Sequence, residues 1–178
     1  MQSRHPSMRL RNYDYTRPNA YFVTICTYHR QILLGKINNG MMDLNSYGDI
    51  ALSCWEKIPE HYSAITLASF TVMPNHIHGI IIIGDNDIRA GLKPAPTKYS
   101  LSEIVRAFKT FSARDINQAR KTPGSPVWQR YFYEHIVRSE EEFNQISEYI
   151  INNPLKWILD KENPERKNSV DILPFEHG

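Results

Sequence analysis

The residues of this chain best placed to do chemistry are two histidines separated by one apolar residue, in Pro74-Asn75-His76-Ile77-His78-Gly79. They run straight into Ile80-Ile81-Ile82-Ile83, and the whole stretch reads as a buried β-strand. Side chains alternate faces along a strand, so His76 and His78 point the same way with Cα atoms roughly 6.6 Å apart. Two imidazoles at that spacing can hold one metal ion from a single rigid element, leaving Ile77 to pack into the core. The triplet is also compatible with two polar residues on the open face of a half-buried strand, so metal binding needs support from elsewhere in the chain.

A second pair lies near the end of the chain, in Phe143-Asn144-Gln145-Ile146-Ser147-Glu148-Tyr149-Ile150-Ile151-Asn152-Asn153-Pro154. Phe143, Ile146 and Ile150 mark the packed face of a helix. At about 100° per residue, Tyr149 and Asn153 fall one turn apart on the flank of that face. A phenol and an amide at the edge of a core need polar partners. Taken singly, Tyr149 is an amphipathic packing residue and Asn153, followed by proline, a helix stop.

The elements that must position these groups are legible from periodicity and punctuation. Residues 21–28 alternate β-branched and aromatic residues and read as a strand. Gly35 to Gly40, with Asn38 and Asn39, reads as a small hairpin. Residues 47–62 carry Ile50, Leu52, Cys54, Trp55 and Ile58 at near-helical spacing, with Pro59 marking the end. Residues 67–73 and His76–Ile83 form two strands joined by a tight Met73-Pro74-Asn75 connection. A long polar loop is expected over 84–100. A helix capped by Ser100 or Ser102 then runs to about Arg120, with Ile104, Val105, Phe108 and Phe111 as its apolar stripe. Residues 127–138 predict a fourth strand, and Glu140–Asn152 a last helix stopped by Pro154. The order β-α-β-β-α-β plus one helix is the ferredoxin-like (RRM-like) α+β plan: an antiparallel sheet with helices on one face, followed by the C-terminal helix that carries Tyr149. One domain over 1–160 and a loosely packed charged extension over 161–178 are expected.

Composition is that of an ordinary globular domain, 178 residues with 41% hydrophobic and 22% charged residues. The longest apolar run is far too short to cross a bilayer, and no apolar stretch suited to a secretory signal follows Met1. Cys26 and Cys54 stand outside any CxxC pattern, which fits reduced thiols in a cytoplasm. The net charge of +2 is small, but the first 36 residues hold Arg4, Arg9, Arg11, Arg17, Arg30 and Lys36 against the single acid Asp14. That basic segment, threaded with Tyr13, Tyr15, Tyr21 and Tyr28, suits either phosphate contacts with base stacking or a solvated arm. Arg106, Lys109, Arg114 and Arg120 on the second long helix, like Arg130, are compatible with a nucleic-acid path or with an ordinary solvated face.

Three ordered motifs resemble one known family. They are Pro74-Asn75-His76-Ile77-His78 after a strand, Val127-Trp128-Gln129-Arg130 with Glu134-His135 before a helix, and Tyr149-Ile150-x-x-Asn153-Pro154. Together with Arg11-Asn12-Tyr13-Asp14-Tyr15 and Ala20-Tyr21-Phe22-Val23-Thr24-Ile25-Cys26-Thr27, they resemble the single-tyrosine (Y1) HUH transposases. Within these the chain is similar to the REP-associated branch, relatives of the IS200/IS605 enzymes. The resemblance spans roughly residues 9 to 160. It implies that His76 and His78 bind a divalent metal, that Tyr149 is the catalytic nucleophile, and that the Asn153 amide completes the metal site. The insertion-sequence enzymes have glutamine at the last position, so metal ligation by Asn153 is where the pattern departs. Glu134 and His135 match the family but acquire no catalytic role.

That chemistry suits the residue types. Only about one tyrosine in a thousand is phenolate at neutral pH. A divalent cation such as Mg²⁺ or Mn²⁺, bound through two imidazoles and an amide, keeps positions open for phosphate oxygens. Attack by tyrosine would link the protein to a DNA 5′ end and release a 3′-OH without ATP. The expectation is therefore metal-dependent nicking and strand transfer on hairpin-bearing single-stranded DNA, in the cytoplasm at the nucleoid, by a monomer or a homodimer. Arg11, Tyr13, Arg17, Arg106, Lys109 and Arg130 are the candidate DNA contacts. The competing reading is a non-catalytic module that binds single strands on its sheet. A structural zinc site lacks further Cys or His residues at suitable spacing.

Overall fold

Strand β1 (Asn19–Cys26) lies in the middle of the protein, with Tyr21, Phe22, Val23 and Ile25 all fully buried. A strand buried on both faces needs covering layers on each side, and the rest of the chain provides them. The structure is a computed structural model and describes residues 19–84 and 99–164. After β1 come a hairpin of β2 (Gly35–Asn38) and β3 (Met41–Leu44), helix α1 (Ser46–Glu56) and the short α2 (Ile58–His61). Then follow β4 (Ile65–Met73), β5 (His76–Ile83), α3 (Leu101–Ala119), β6 (Tyr133–Val137) and α4 (Glu140–Asn152), with a 3₁₀ segment over Pro154–Leu159. The main sheet has the order β4-β5-β1-β6, and every pairing in it is antiparallel. This is the ferredoxin-like arrangement expected.

Strand alternation sorts the core into two layers. Tyr21, Val23 and Ile25 of β1, with Ile77 and Ile81 of β5, face Trp55 of α1 and Ile104 and Phe108 of α3. Phe22 and Ile80 turn the other way, against Ile146 and Ile150 of α4. Thus α1 and α3 cover one face, and the tyrosine helix covers the opposite one. His76 and His78, four and two residues ahead of Ile80, share the α4 face.

Helix ends follow local chemistry. Asn45 caps α1 by accepting from the backbone N–H groups of Tyr47 and Gly48. Ser100 and Glu103 form a reciprocal capping box at the start of α3. The Ser139 hydroxyl caps α4 by accepting from the Glu142 N–H.

Some expectations are corrected. The helix anticipated over 47–62 breaks at Lys57, because Pro59 has no N–H to continue the ladder and instead begins a separate turn. The fourth strand is only Tyr133–Val137, preceded by a lone bridge between Thr27 and Trp128. Trp128 leaves the strand path to donate its indole N–H to Ser112 Oγ at 2.9 Å, and Lys109 takes the carbonyls of residues 129 to 131. Phe111, expected on the buried stripe of α3, is 46% exposed and lies between His61 and Arg114. Glu162, expected in a loosely packed tail, is buried: its carboxylate pairs with Arg30 at 2.6 Å and its carbonyl accepts from Asn75 at 2.7 Å. Most of the expected 84–100 loop lies outside the described residues, as do Arg11, Tyr13 and Arg17. Among the described residues, no helix is long and apolar enough to cross a membrane.

Candidate active site and metal centre

Register places the histidines. His76 pairs with Cys26 of β1 and Met73 of β4, and His78 with Thr24 and Thr71. Both imidazoles are fully buried, with ring centroids 4.4 Å apart. Burial pushes both below the ordinary imidazole value; for His78 the neighbouring His76 adds to the effect, while for His76 Asp160 opposes it. The pair is therefore neutral at physiological pH, the protonation state in which an imidazole ligates metal.

Their orientation is set by neighbours. Asn75, in the turn between β4 and β5, donates from Nδ2 to the carbonyls of Arg30 at 3.1 Å and Glu162 at 2.7 Å. Its Oδ1 is thereby left facing His76 Nδ1 at 2.8 Å. An amide oxygen only accepts, so His76 Nδ1 carries the hydrogen and Nε2 presents a lone pair. His78 Nδ1 lies 2.9 Å from the Thr24 hydroxyl, which fixes that ring from the next strand. In metal centres the other ring nitrogen of each histidine is commonly tied in this way.

Helix α4 brings the phenol to the same place. Ile146 and Ile150 bury its inner face, and Tyr149 is left half-buried with its ring 5.3 Å from that of His78 and edge-on to Phe22. Tyr149 Oη lies 3.4 Å from His78 Nε2, within one chain. Asn153, one turn on, is buried, and its Oδ1 has no hydrogen-bond partner.

One residue that the sequence did not signal joins the group. His76, His78 and Asp160 offer ligand atoms that all lie within 4.8 Å of one another, and all three are buried. Asp160 follows the 3₁₀ segment and has neither periodicity nor motif to mark it. Two neutral imidazoles and a carboxylate fit a divalent cation, and the orphaned His76 Nε2, Asn153 Oδ1 and Asp160 Oδ2 are acceptors suited to one.

The remaining sequence candidates fall elsewhere. His135 Nε2 pairs with Glu142 Oε1 at 2.7 Å, and Glu142 also accepts from the Arg138 N–H, so this pair docks β6 onto the first turn of α4. Arg106, Lys109 and Arg130 line a groove of about 430 Å³ between α3 and residues 125–132. The Lys109 ammonium donates to the carbonyls of Gln129, Arg130 and Tyr131. Tyr131 is 68% exposed with the Arg130 guanidinium 5.6 Å from its ring. The Gln129 N–H bonds to the Cys26 carbonyl, opposite His76, so this segment borders the end of the sheet where the histidines lie.

Known proteins resemble this chain in both sequence and fold. A family model described as "Transposase IS200 like" matches residues 15–153. An uncharacterised protein of Haemophilus influenzae is 40% identical over 166 residues, covering 87% of this chain and 91% of that one. A protein of the same organism named as a REP-associated tyrosine transposase is 29% identical over 144 residues, covering 80% of this chain and 74% of its own length. Among solved structures, a REP-associated tyrosine transposase bound to a REP hairpin has the same fold, with a TM-score of 0.57 at 19% identity over 84% of this chain and 74% of that one.

Proposed function

The chain belongs to the IS200-like transposase family, and on that premise we propose that it nicks and rejoins single-stranded DNA through a covalent link to Tyr149. The observation that carries the reading is the approach of the Tyr149 phenol, from α4, to the imidazole pair of β5. His76 and His78, neutral and rigidly oriented, would hold a divalent ion such as Mg²⁺ or Mn²⁺, and Asn153, one helical turn after Tyr149, would add its buried, unpartnered amide oxygen. When bound, that ion supplies Lewis-acid polarisation of the scissile phosphate and offsets charge as it develops.

The residues of the chain do the rest. The Tyr149 oxygen attacks the scissile phosphorus, the P–O3′ bond breaks, and the leaving oxygen takes up a proton to become a 3′-OH. The phenolic proton is released to water. The product is a 5′-phosphotyrosine that conserves the phosphodiester, so a 3′-OH attacking the same phosphorus releases Tyr149 and joins the strand. Phe22 and the α4 face hold the ring in place, which limits the reorganisation needed before attack.

The named relatives support hairpin-forming repeat DNA of the REP kind as the substrate class, and the reaction would take place in the cytoplasm. Arg130 with Tyr131, and Arg106 and Lys109 across the groove, offer a basic and aromatic path for the flanking strand. Arg11, Tyr13 and Arg17 belong to the same basic segment of the sequence and would add phosphate contacts. A purely binding module would use that path but leave the Tyr149–His78 approach without purpose.

The test is to incubate the protein with hairpin-bearing single-stranded DNA and Mn²⁺, then denature and separate. A labelled strand that migrates with the protein, and is lost in chelator, is expected. Binding without any such adduct on a panel of hairpin repeats would instead favour the module.

A further inference from the structure

We propose that Asp160 is an anionic ligand of the ion held by His76 and His78, so that the segment after the tyrosine helix completes the metal centre. The inference rests on the metal-assisted reading above and adds a residue outside both motifs that define it.

Asp160 is 5% exposed. Its Oδ1 accepts from the Glu162 N–H at 2.7 Å, whereas Oδ2 has no hydrogen-bond partner. That orphan oxygen lies 3.8 Å from His76 Nε2, which has none either. The Asn75 amide has already put the imidazole hydrogen on Nδ1, so the two atoms that face each other are both acceptors. Two buried acceptors in that relation repel, and 3.8 Å is too long for a hydrogen bond even if one of them gained a proton. A cation between them resolves both groups at once. The separation is below the roughly 4.2 Å that two ligands, each about 2.1 Å from one ion, can span.

The position of Asp160 does not depend on an ion. Two residues further on, Glu162 is held by Arg30, by the Asn75 amide through its carbonyl, and by the Cys26 thiol, which donates to Oε2 at 3.3 Å. The carboxylate is thus delivered by a segment anchored to the same turn that orients His76. A hard anionic oxygen beside two imidazoles favours Mg²⁺ or Mn²⁺ more than imidazoles alone would.

The experiment is Mn²⁺ titration calorimetry on the full chain without DNA, with thermal unfolding measured with and without Mn²⁺, for the wild type, Asp160→Asn, Asp160→Glu and His78→Ala. Asparagine keeps the acceptor for the Glu162 N–H and removes the charge. We expect Asp160→Asn to bind Mn²⁺ at least tenfold more weakly and to lose most of the Mn²⁺-induced rise in Tm. Its ion-free Tm should equal or exceed that of the wild type, because a buried unpaired charge is gone. Asp160→Glu, which retains the charge, should recover part of the affinity. Asp160→Asn binding Mn²⁺ within twofold of wild type, while His78→Ala loses binding, would overturn the assignment of Asp160 alone; so would a lowered ion-free Tm with unchanged affinity. A wild-type protein that binds no Mn²⁺ would overturn the metal reading itself.

Discussion

Tyr149 Oη and His78 Nε2 stand 3.4 Å apart although 71 residues separate them in the chain. Neither residue reaches the other by local geometry. The sheet places His78 on the face that α4 covers, and the burial of Ile146 and Ile150 turns Tyr149 toward it. Because the approach occurs within one chain, a single chain carries both the phenol and the imidazole pair.

That contact is long for a hydrogen bond, so it contributes little to folding. Tyr149→Phe should therefore keep the ring packed on Phe22 and His78 and change stability by less than about 1 kcal/mol. Covalent adducts with single-stranded DNA should vanish, while affinity for the same DNA in a gel-shift assay is retained. Adducts formed by this variant would remove Tyr149 as the nucleophile.

Asn75 has a heavier structural load than its place in a tight turn suggests. Its amide satisfies two carbonyls and sets the tautomer of His76. Asn75→Ala strands those partners, at a cost of about 1–3 kcal/mol for each buried group left unpaired. It also frees the imidazole to rotate, and Mn²⁺ affinity should fall by about 10–100-fold. Calorimetry and urea unfolding check the two effects separately; an unchanged affinity in a destabilised protein would show that the tautomer is fixed by something else.

How much of this was readable in advance follows from the range of each signal. The period of two in His76-Ile77-His78 and the one-turn spacing of Tyr149 and Asn153 are local, so both pairs were legible, as was the order of the main elements. Asp160 was not, because a lone carboxylate in a proline-bounded, aperiodic segment acquires meaning only from the strand it is folded against. Residues 127–132 misled for the related reason that Trp128 and Lys109 make side-chain bonds, invisible to periodicity, that replace a strand ladder.

Gly79 shows that a strand glycine can be a packing requirement. A Cβ there would come within 2.4 Å of Trp55 Cζ2 and 3.1 Å of Phe70 Cβ, and Trp55 is fully buried. Gly79→Ala should destabilise by about 1–3 kcal/mol through overpacking. Because Gly79 follows His78 directly, Mn²⁺ binding should weaken too. A variant with wild-type Tm would mean that the indole moves aside freely.

Lys109 links the groove to pH. Burial lowers its ammonium from the ordinary 10.5 to about 8. Between those values the unfolded chain keeps a proton that the folded protein has released, so this group makes stability rise with pH across the window. At about 1.4 kcal/mol per unit, the contribution approaches roughly 3 kcal/mol by the upper end. Below pH 8 the buried charge is a cost, partly offset by its bonds to the carbonyls of Gln129, Arg130 and Tyr131. The comparison is with Lys109→Met, which keeps the aliphatic stem but neither the charge nor the donors. Urea midpoints measured at pH 7.5 and 9.5 should rise for the wild type relative to this variant. Parallel pH profiles for the two proteins would show that Lys109 keeps an ordinary proton affinity, and that its three carbonyl bonds outweigh its burial.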